Sequence, residues 1–148
     1  MKEEEIKGFI HTVTSYFNQI TEIPAIMGLP YIKDNKTVTY DFTGVIGISG
    51  NRKGAVYFTA SKQLLLDFGH FILGDDQLDD DALYDLIGEM VNTITGNMRE
   101  LFGSTFTISV PIIMKGTIED IVIQLKPPVF IIPIKWKEHT CHLGIGLE

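Results

Sequence analysis

Glu89 and Asn92 stand three residues apart in the run Asp85-Leu86-Ile87-Gly88-Glu89-Met90-Val91-Asn92-Thr93-Ile94-Thr95-Gly96-Asn97. On a helix this spacing sends the two side chains out about 60° apart, so a carboxylate and a carboxamide can address one small target together. The carboxylate offers charge-assisted acceptors to a cation, and the carboxamide offers a donor and an acceptor that can hold a water molecule. Asp85, Gly96 and Arg99 fall on the same stripe. Three features of the stripe cost helix stability with no local return. Asp85 and Glu89 are a like-charge pair at i, i+4; Asn92 is a weak helix former; Gly96 inside a helix costs ~1 kcal/mol relative to Ala. Local inconsistency of this kind gathers at functional faces, and Gly96 would let another surface approach the helix backbone closely. Spacing alone fits an ordinary solvated helix face as well, because Glu-x-x-Asn is a short pattern.

The helix that must carry this stripe is predicted from about Asp80 to Phe102, on the periodicity of Leu83, Leu86, Ile87, Met90, Val91, Ile94, Met98, Leu101 and Phe102, with Gly103 closing it. An earlier helix runs from Glu3 to Ile20, where Ile6, Phe9, Ile10, Val13, Phe17 and Ile20 recur at helical spacing before Pro24 and Pro30. Another is expected over Ser61 to Leu73, burying Leu64, Leu65, Phe68 and Phe71 or Ile72, and ending at Gly74. Thr37 to Ser49 and Lys53 to Thr59 read as a β-hairpin across Gly50-Asn51-Arg52-Lys53-Gly54. Thr105 to Val110, Ile118 to Leu125, Val129 to Ile134 and Thr140 to Leu147 read as strands separated by Pro111, Gly116, Pro127-Pro128 and Lys137-Glu138-His139. Helices mixed with strands indicate an α/β sandwich, and 148 residues indicate a single domain spanning 1–148.

The totals exclude several function classes. A net charge of −7 argues against binding to nucleic-acid phosphates. Between Lys62 and Arg99 there is no Lys or Arg, while Asp67, Asp75, Asp76, Asp79, Asp80, Asp81, Asp85 and Glu89 fall there, so that segment should attract a cationic partner surface. The longest apolar stretch, Val129 to Ile134, is too short to cross a membrane. The acidic opening Met1-Lys2-Glu3-Glu4-Glu5 is unlike a secretory signal, and a single cysteine, Cys141, excludes an internal disulfide; both suit the cytoplasm.

Other constellations read as structural. Gly50 to Gly54, with Arg52 and Lys53, lacks the following helix that a phosphate cradle needs and reads as a hairpin turn. His139, Cys141 and His142 are close in sequence, but strand alternation puts Cys141 on the face opposite His142, so they read as hairpin and strand residues with no metal assigned. Asp75 to Leu86 is no EF-hand, since Asp80 stands where Gly is needed and Leu86 where the bidentate Glu belongs; its aspartates more naturally cap the following helix. No Gly-x-Ser-x-Gly elbow is present.

The run Asp85 to Asn97 resembles the signature helix of the CheX/CheC phosphatases, in which Asp or Ser, three residues, Glu, two residues and Asn are followed downstream by Pro. The hairpin Thr43-Gly44-Val45-Ile46-Gly47-Ile48-Ser49-Gly50 with Lys53-Gly54-Ala55-Val56-Tyr57-Phe58, and the strand Phe106-Thr107-Ile108-Ser109-Val110-Pro111, are similar to the family too. The interval from Asn92 to Pro111 is shorter than in the two-site members, and one Glu-x-x-Asn copy lies in a predicted helix, as in single-site CheX. The resemblance implies a sandwich of antiparallel sheet and long helices, and an aspartyl-phosphate phosphatase acting on a phosphorylated CheY-like response regulator. It implies that Asn92 positions the attacking water and that Glu89 pairs with the receiver lysine beside the phosphate. Asp85 and Gly96 would then belong to the docking surface. No cofactor on this chain is implied; Mg²⁺ is expected on the receiver. A homodimer, contributed to by sheet edges near Val129 to Leu147, is expected by the same analogy. The rival reading is a non-enzymatic receiver-binding or flagellar-switch-like interaction module, since switch proteins share a related fold.

Overall fold

In the computed structural model, which describes residues 1–33, 38–75, 77–116 and 128–148, the β-branched and aromatic runs pair into one eight-stranded antiparallel sheet. The elements in chain order are α1 (Glu3–Thr21), β1 (Ile26–Met27), β2 (Tyr31–Ile32), β3 (Phe42–Ser49), β4 (Gly54–Ala60), α2 (Lys62–Leu73), α3 (Asp80–Gly96), α4 (Arg99–Phe102), β5 (Thr107–Ile108), β6 (Ile112–Lys115), β7 (Phe130–Trp136) and β8 (His139–Leu147). The sheet order is β1-β7-β8-β4-β3-β5, with β2 also on β7 and β6 also on β3.

Register explains how one sheet makes two faces. Ile46, Val56 and Ile145 stand in one row and Phe58, Leu143 and Ile132 in another, and these rows join the main core with the helices. The intervening row of Val45, Tyr57, Gly144 and Ile131 points the other way and forms a separate small cluster with Val129. On the helical side, Phe9, Val13 and Phe17 of α1, Leu64, Leu65 and Phe68 of α2, and Leu83, Ile87, Met90, Val91 and Ile94 of α3 are fully buried. Phe17 and Phe68 meet edge-on at 5.3 Å, and both approach Trp136, the largest fully buried side chain, at 5.8 Å. The helices thus share one apolar stripe against one sheet face.

The helix ends follow local chemistry. The Ser61 hydroxyl accepts the Leu64 N–H at 3.1 Å to start α2, and Gly74 ends it with φ of 69°. Asp79 starts α3 by accepting the Ala82 N–H at 2.9 Å, as the capping role of the acidic segment requires. The hairpin turn between β3 and β4 is tied down on all sides. Asn51 donates to the Phe102 carbonyl at 2.9 Å; Arg52 donates to the Glu148 carbonyl at 2.6 Å, pairs with Glu5 and lies 5.2 Å from the Phe102 ring centroid.

Several expectations need correction. The helix predicted from Asp80 to Phe102 breaks after Gly96, and α4 resumes only at Arg99, so Gly96 is a terminal residue and not an interior one. Phe71 and Ile72, one of which was expected to be buried, are 41% and 39% exposed, because Phe68 and Leu64 already fill the face of α2 that meets the core. The strand expected over Thr105 to Val110 is reduced to β5, with β6 following Pro111 unforeseen; β1 and β2, two residues each, carry no sequence pattern. Val129 to Leu147 does not form a sheet edge: β8 lies between β7 and β4, and the segment after α1 returns to cover β7. Asp76 and the expected strand Ile118 to Leu125 lie outside the described residues.

Tyr57 lies flat over Gly144, where an added Cβ would come within 2.0 Å of the ring. Gly144→Ala is therefore expected to destabilise the protein by ~1–3 kcal/mol through overpacking, read as a lower urea midpoint with an unchanged m-value.

Candidate functional site

A missing side chain lets α3 sit close to the sheet. A Cβ on Gly44 of β3 would lie 2.9 Å from Val91 Cγ1 and 3.5 Å from the Ile87 carbonyl, so only glycine admits the helix at this depth. The buried side of α3 is Leu83, Leu86, Ile87, Met90, Val91, Ile94 and Thr95. The 3.6-residue period then fixes the outward stripe, and Asp85, Glu89 and Asn92 are all exposed on it.

Glu89 and Asn92 share an open groove of about 400 Å³. Gly88, Glu89 and Asn92 line it from α3, and Ile108, Ser109, Val110 and Pro111 line it from β5 and the loop beyond. That loop is held by Gly47 of β3 in both directions: the Gly47 N–H donates to Ser109 Oγ at 2.9 Å, and the Ser109 N–H donates to the Gly47 carbonyl at 2.9 Å. Pro111 thus stands in the same groove as Asn92 despite the short interval between them. A second groove, of about 330 Å³, runs along the other side of Glu89 and is lined by Ile72, Leu73, Ala82, Asp85, Leu86 and Glu89.

The Asn92 side chain makes no hydrogen bond among the described residues, which leaves its amide donors and carbonyl acceptor available to a visitor. Glu89 has one long contact, from Thr93 Oγ1 at 3.4 Å, and neither it nor Asp85 has an ion-pair partner among the described residues. Asp80, one turn earlier, is neutralised instead: Lys115 bonds it and Lys62 lies 3.5 Å away, and these cations hold its carboxyl below the usual range. Burial, and then the charge of Glu89, raise the Tyr16 phenol above its ordinary value.

Of the residues singled out from the sequence, Glu89 and Asn92 are brought together in the first groove, and Asp85 and Glu89 in the second. Gly96 lines neither; a Cβ there would make only ordinary contact with Ile108 Cδ1 at 3.8 Å. Sequence reasoning missed the opposite walls. Val110 is 84% exposed and Leu73 56%, so apolar side chains rim both grooves. Among the described residues, the one convergent set of three His, Cys or carboxylate groups is Asp67, Glu138 and His139, away from this stripe.

A carboxamide and a carboxylate with no strong partner among the described residues thus lie side by side on open grooves with apolar rims. The sequence matches the family described as chemotaxis phosphatase CheX over residues 42–135, and the chain belongs to that family. Its fold is that of a CheX from Desulfovibrio desulfuricans, 30% identical, with a TM-score of 0.81 over 98% of this chain and 99% of that one. A CheC-like superfamily protein from Shewanella sp. PV-4 is 25% identical, with a TM-score of 0.85 over 100% and 99% of the two chains. The CheX of a CheX-CheY-BeF3-Mg complex from Borrelia burgdorferi shares the fold at 20% identity and a TM-score of 0.77, with 97% of each chain covered. No curated protein sequence matches the chain.

Ser109→Ala removes the hydroxyl that accepts the Gly47 N–H while leaving the backbone bond in place. It should cost about 0.5–1.5 kcal/mol and accelerate amide exchange at Gly47 relative to the β4–β8 ladder, measured by hydrogen exchange.

Proposed function

We propose that this chain hydrolyses the aspartyl phosphate of a CheY-like response-regulator domain, with Asn92 positioning the attacking water and Glu89 pairing with the receiver lysine beside the phosphate. The observation that carries the reading is the Asn92 carboxamide, exposed in a groove with no partner among the described residues, beside a Glu89 one helical turn away that has no ion pair among them. Membership of a family of chemotaxis phosphatases supports the reaction class. The Borrelia complex, in which a protein of this fold is bound to CheY, agrees with the partner class.

The reaction needs little from this chain. Water attacks phosphorus in line with the bond to the aspartyl oxygen; that bond breaks, the electron pair returns to the carboxylate, and inorganic phosphate leaves. A Mg²⁺ on the receiver would supply positive charge to the phosphoryl oxygens there. The Asn92 amide would accept a hydrogen bond from the water and donate one to a phosphoryl oxygen, converting a diffusing nucleophile into an oriented one. Glu89 fixes the register through a charge-assisted hydrogen bond to the lysine. Asp85, one turn before Glu89, extends the acidic surface, and Gly96 keeps the C-terminal end of α3 low enough for a partner to pass over it.

Among the described residues, the only Lys or Arg paired with an acidic group of α3 are Lys62 and Lys115 on Asp80, so a cationic partner surface gains by docking beside Asp85 and Glu89. Cytoplasmic residence follows from such a partner, and no helix among the described residues is long and apolar enough to cross a membrane. A homodimer belongs to the same proposal. Ile26, Leu29 and Ile32 are 66%, 88% and 60% exposed around β1 and β2, where the sheet ends and a second copy can cover them. Light scattering should give twice the chain mass, and Leu29→Glu should shift it toward monomer; a wild-type monomer at working concentration contradicts the dimer.

Phosphorylated receivers should lose phosphate faster with wild-type protein. Asn92→Ala should slow the catalysed step by ~10²-fold or more while binding is retained, whereas Glu89→Ala should weaken binding and reduce its dependence on ionic strength. A receiver that binds but keeps its phosphate in the presence of wild type would favour a non-enzymatic interaction module.

A further inference from the structure

Asp67 on α2, Glu138 in the turn between β7 and β8, and His139 at the start of β8 each direct a ligand atom to one place, all within 4.8 Å of one another. His139 Nε2 is 2.6 Å from Asp67 Oδ2, and the His139 side chain is only 11% exposed. Its ring leans on Trp136, with centroids 6.3 Å apart and planes at 32°, so its direction is set by packing and not by solvent. Lys137 Nζ stands 3.6 Å from the same Asp67 oxygen. That ammonium also lies 5.7 Å from the Trp136 ring centroid, a second seat that it keeps when the carboxylate is taken by another cation.

We propose that Asp67, Glu138 and His139 form a binding site for a divalent transition-metal ion, with Zn²⁺ the best match. One imidazole nitrogen and two carboxylate oxygens are the borderline donor set that Zn²⁺ takes, with bonds of ~2.0–2.2 Å. Tetrahedral bonds of that length place neighbouring ligand atoms about 3.4 Å apart. Asp67 and His139 need separate by less than ~1 Å to accept the ion between them, and Glu138 need only turn inward. Asp67 and Glu138 are reachable from solvent, so the fourth position is open to water. The ion joins α2 to the β7–β8 hairpin, and α2 ends in Ile72 and Leu73, the outer wall of the groove beside Asp85 and Glu89. The site is independent of the proposed hydrolysis, since none of its ligands lines either groove.

Trp136 is the chain's single tryptophan and reports directly on His139. Titrating the full chain with Co²⁺ should quench its fluorescence, Zn²⁺ should reverse the quenching by displacement, and Zn²⁺ should raise the melting temperature. Glu138→Gln, an exposed change in a turn, should leave the fold intact and weaken binding about tenfold or more. Asp67→Asn and His139→Gln should abolish the quenching, and His11→Ala with His70→Ala, both on the surface, should leave it unchanged. Absence of quenching up to millimolar Co²⁺, or equal quenching in wild type and Glu138→Gln, would overturn the site.

Discussion

The approach of α3 to β3 over Gly44 is the contact on which the remaining architecture depends. With no side chain at that point, Val91 and the Ile87 backbone come down onto the strand, and the apolar stripe of α3 joins Ile46, Val56 and Phe58 in one core. Any Cβ would have to push the helix outward or displace Val91. The same seating sets the rotation of α3 about its axis, because a helix with seven buried positions on one side has no freedom to present another. The outward direction of Glu89 and Asn92 is therefore a consequence of core packing. Gly88 extends the logic to the neighbouring strand, since a Cβ there would lie 3.3 Å from Ile113 Cδ1 of β6. Two glycines, Gly44 on β3 and Gly88 on α3, thus let the helix sit close to the sheet and to the β5–β6 segment that faces it across the groove.

Charge along α3 is divided by position. Asp79, Asp80 and Asp81 stand at the N-terminus, where the helix dipole favours them, and Asp80 is further held by Lys62 and Lys115. Asp85 and Glu89 lie too far along the helix for that compensation and have no cation among the described residues. The first group stabilises the fold; the second is solvated and open to pairing with an external cation. Placing the uncompensated carboxylates beside apolar rims, Leu73 on one side and Val110 on the other, gives a docking partner both a charge to meet and surface to bury.

Much of this was legible in the sequence because it rests on local rules. Helical periodicity located α1, α2 and most of α3; the Ser61 and Asp79 caps and the Gly74 stop follow from short-range chemistry; and the shared helix face of Glu89 and Asn92 follows from their spacing. What escaped rests on tertiary contact. β1 and β2 exist because β7 offers them partners, and two residues carry no alternation to read. Phe71 and Ile72 fit the apolar period of α2, yet the core was already filled, so they turn outward, and Ile72 becomes part of a groove wall. Ser109 to Pro111 form a groove wall only because Gly47, far earlier in the chain, holds the loop in place. Strand alternation did separate Cys141 from His142 correctly, with Cys141 facing the main core, but nothing local could bring Asp67 to His139.

The shallow grooves are informative on the proposed reading. A phosphatase for a free metabolite must bind, desolvate and orient its whole substrate, and for that it needs an enclosed site. A phosphoryl group carried on a receiver arrives already bound, with its counter-charges supplied by the protein that bears it. The chain that hydrolyses it then needs one oriented carboxamide, one carboxylate for register, and a surface that excludes solvent only once docked. Glu89 and Asn92 on a rigid helix, flanked by open and partly apolar grooves, match that requirement, and specificity then resides in the rims more than in the two polar groups. The residues that choose among receivers would be those least dictated by the fold, such as Leu73 and Val110, which can vary without disturbing the seat of α3 on Gly44.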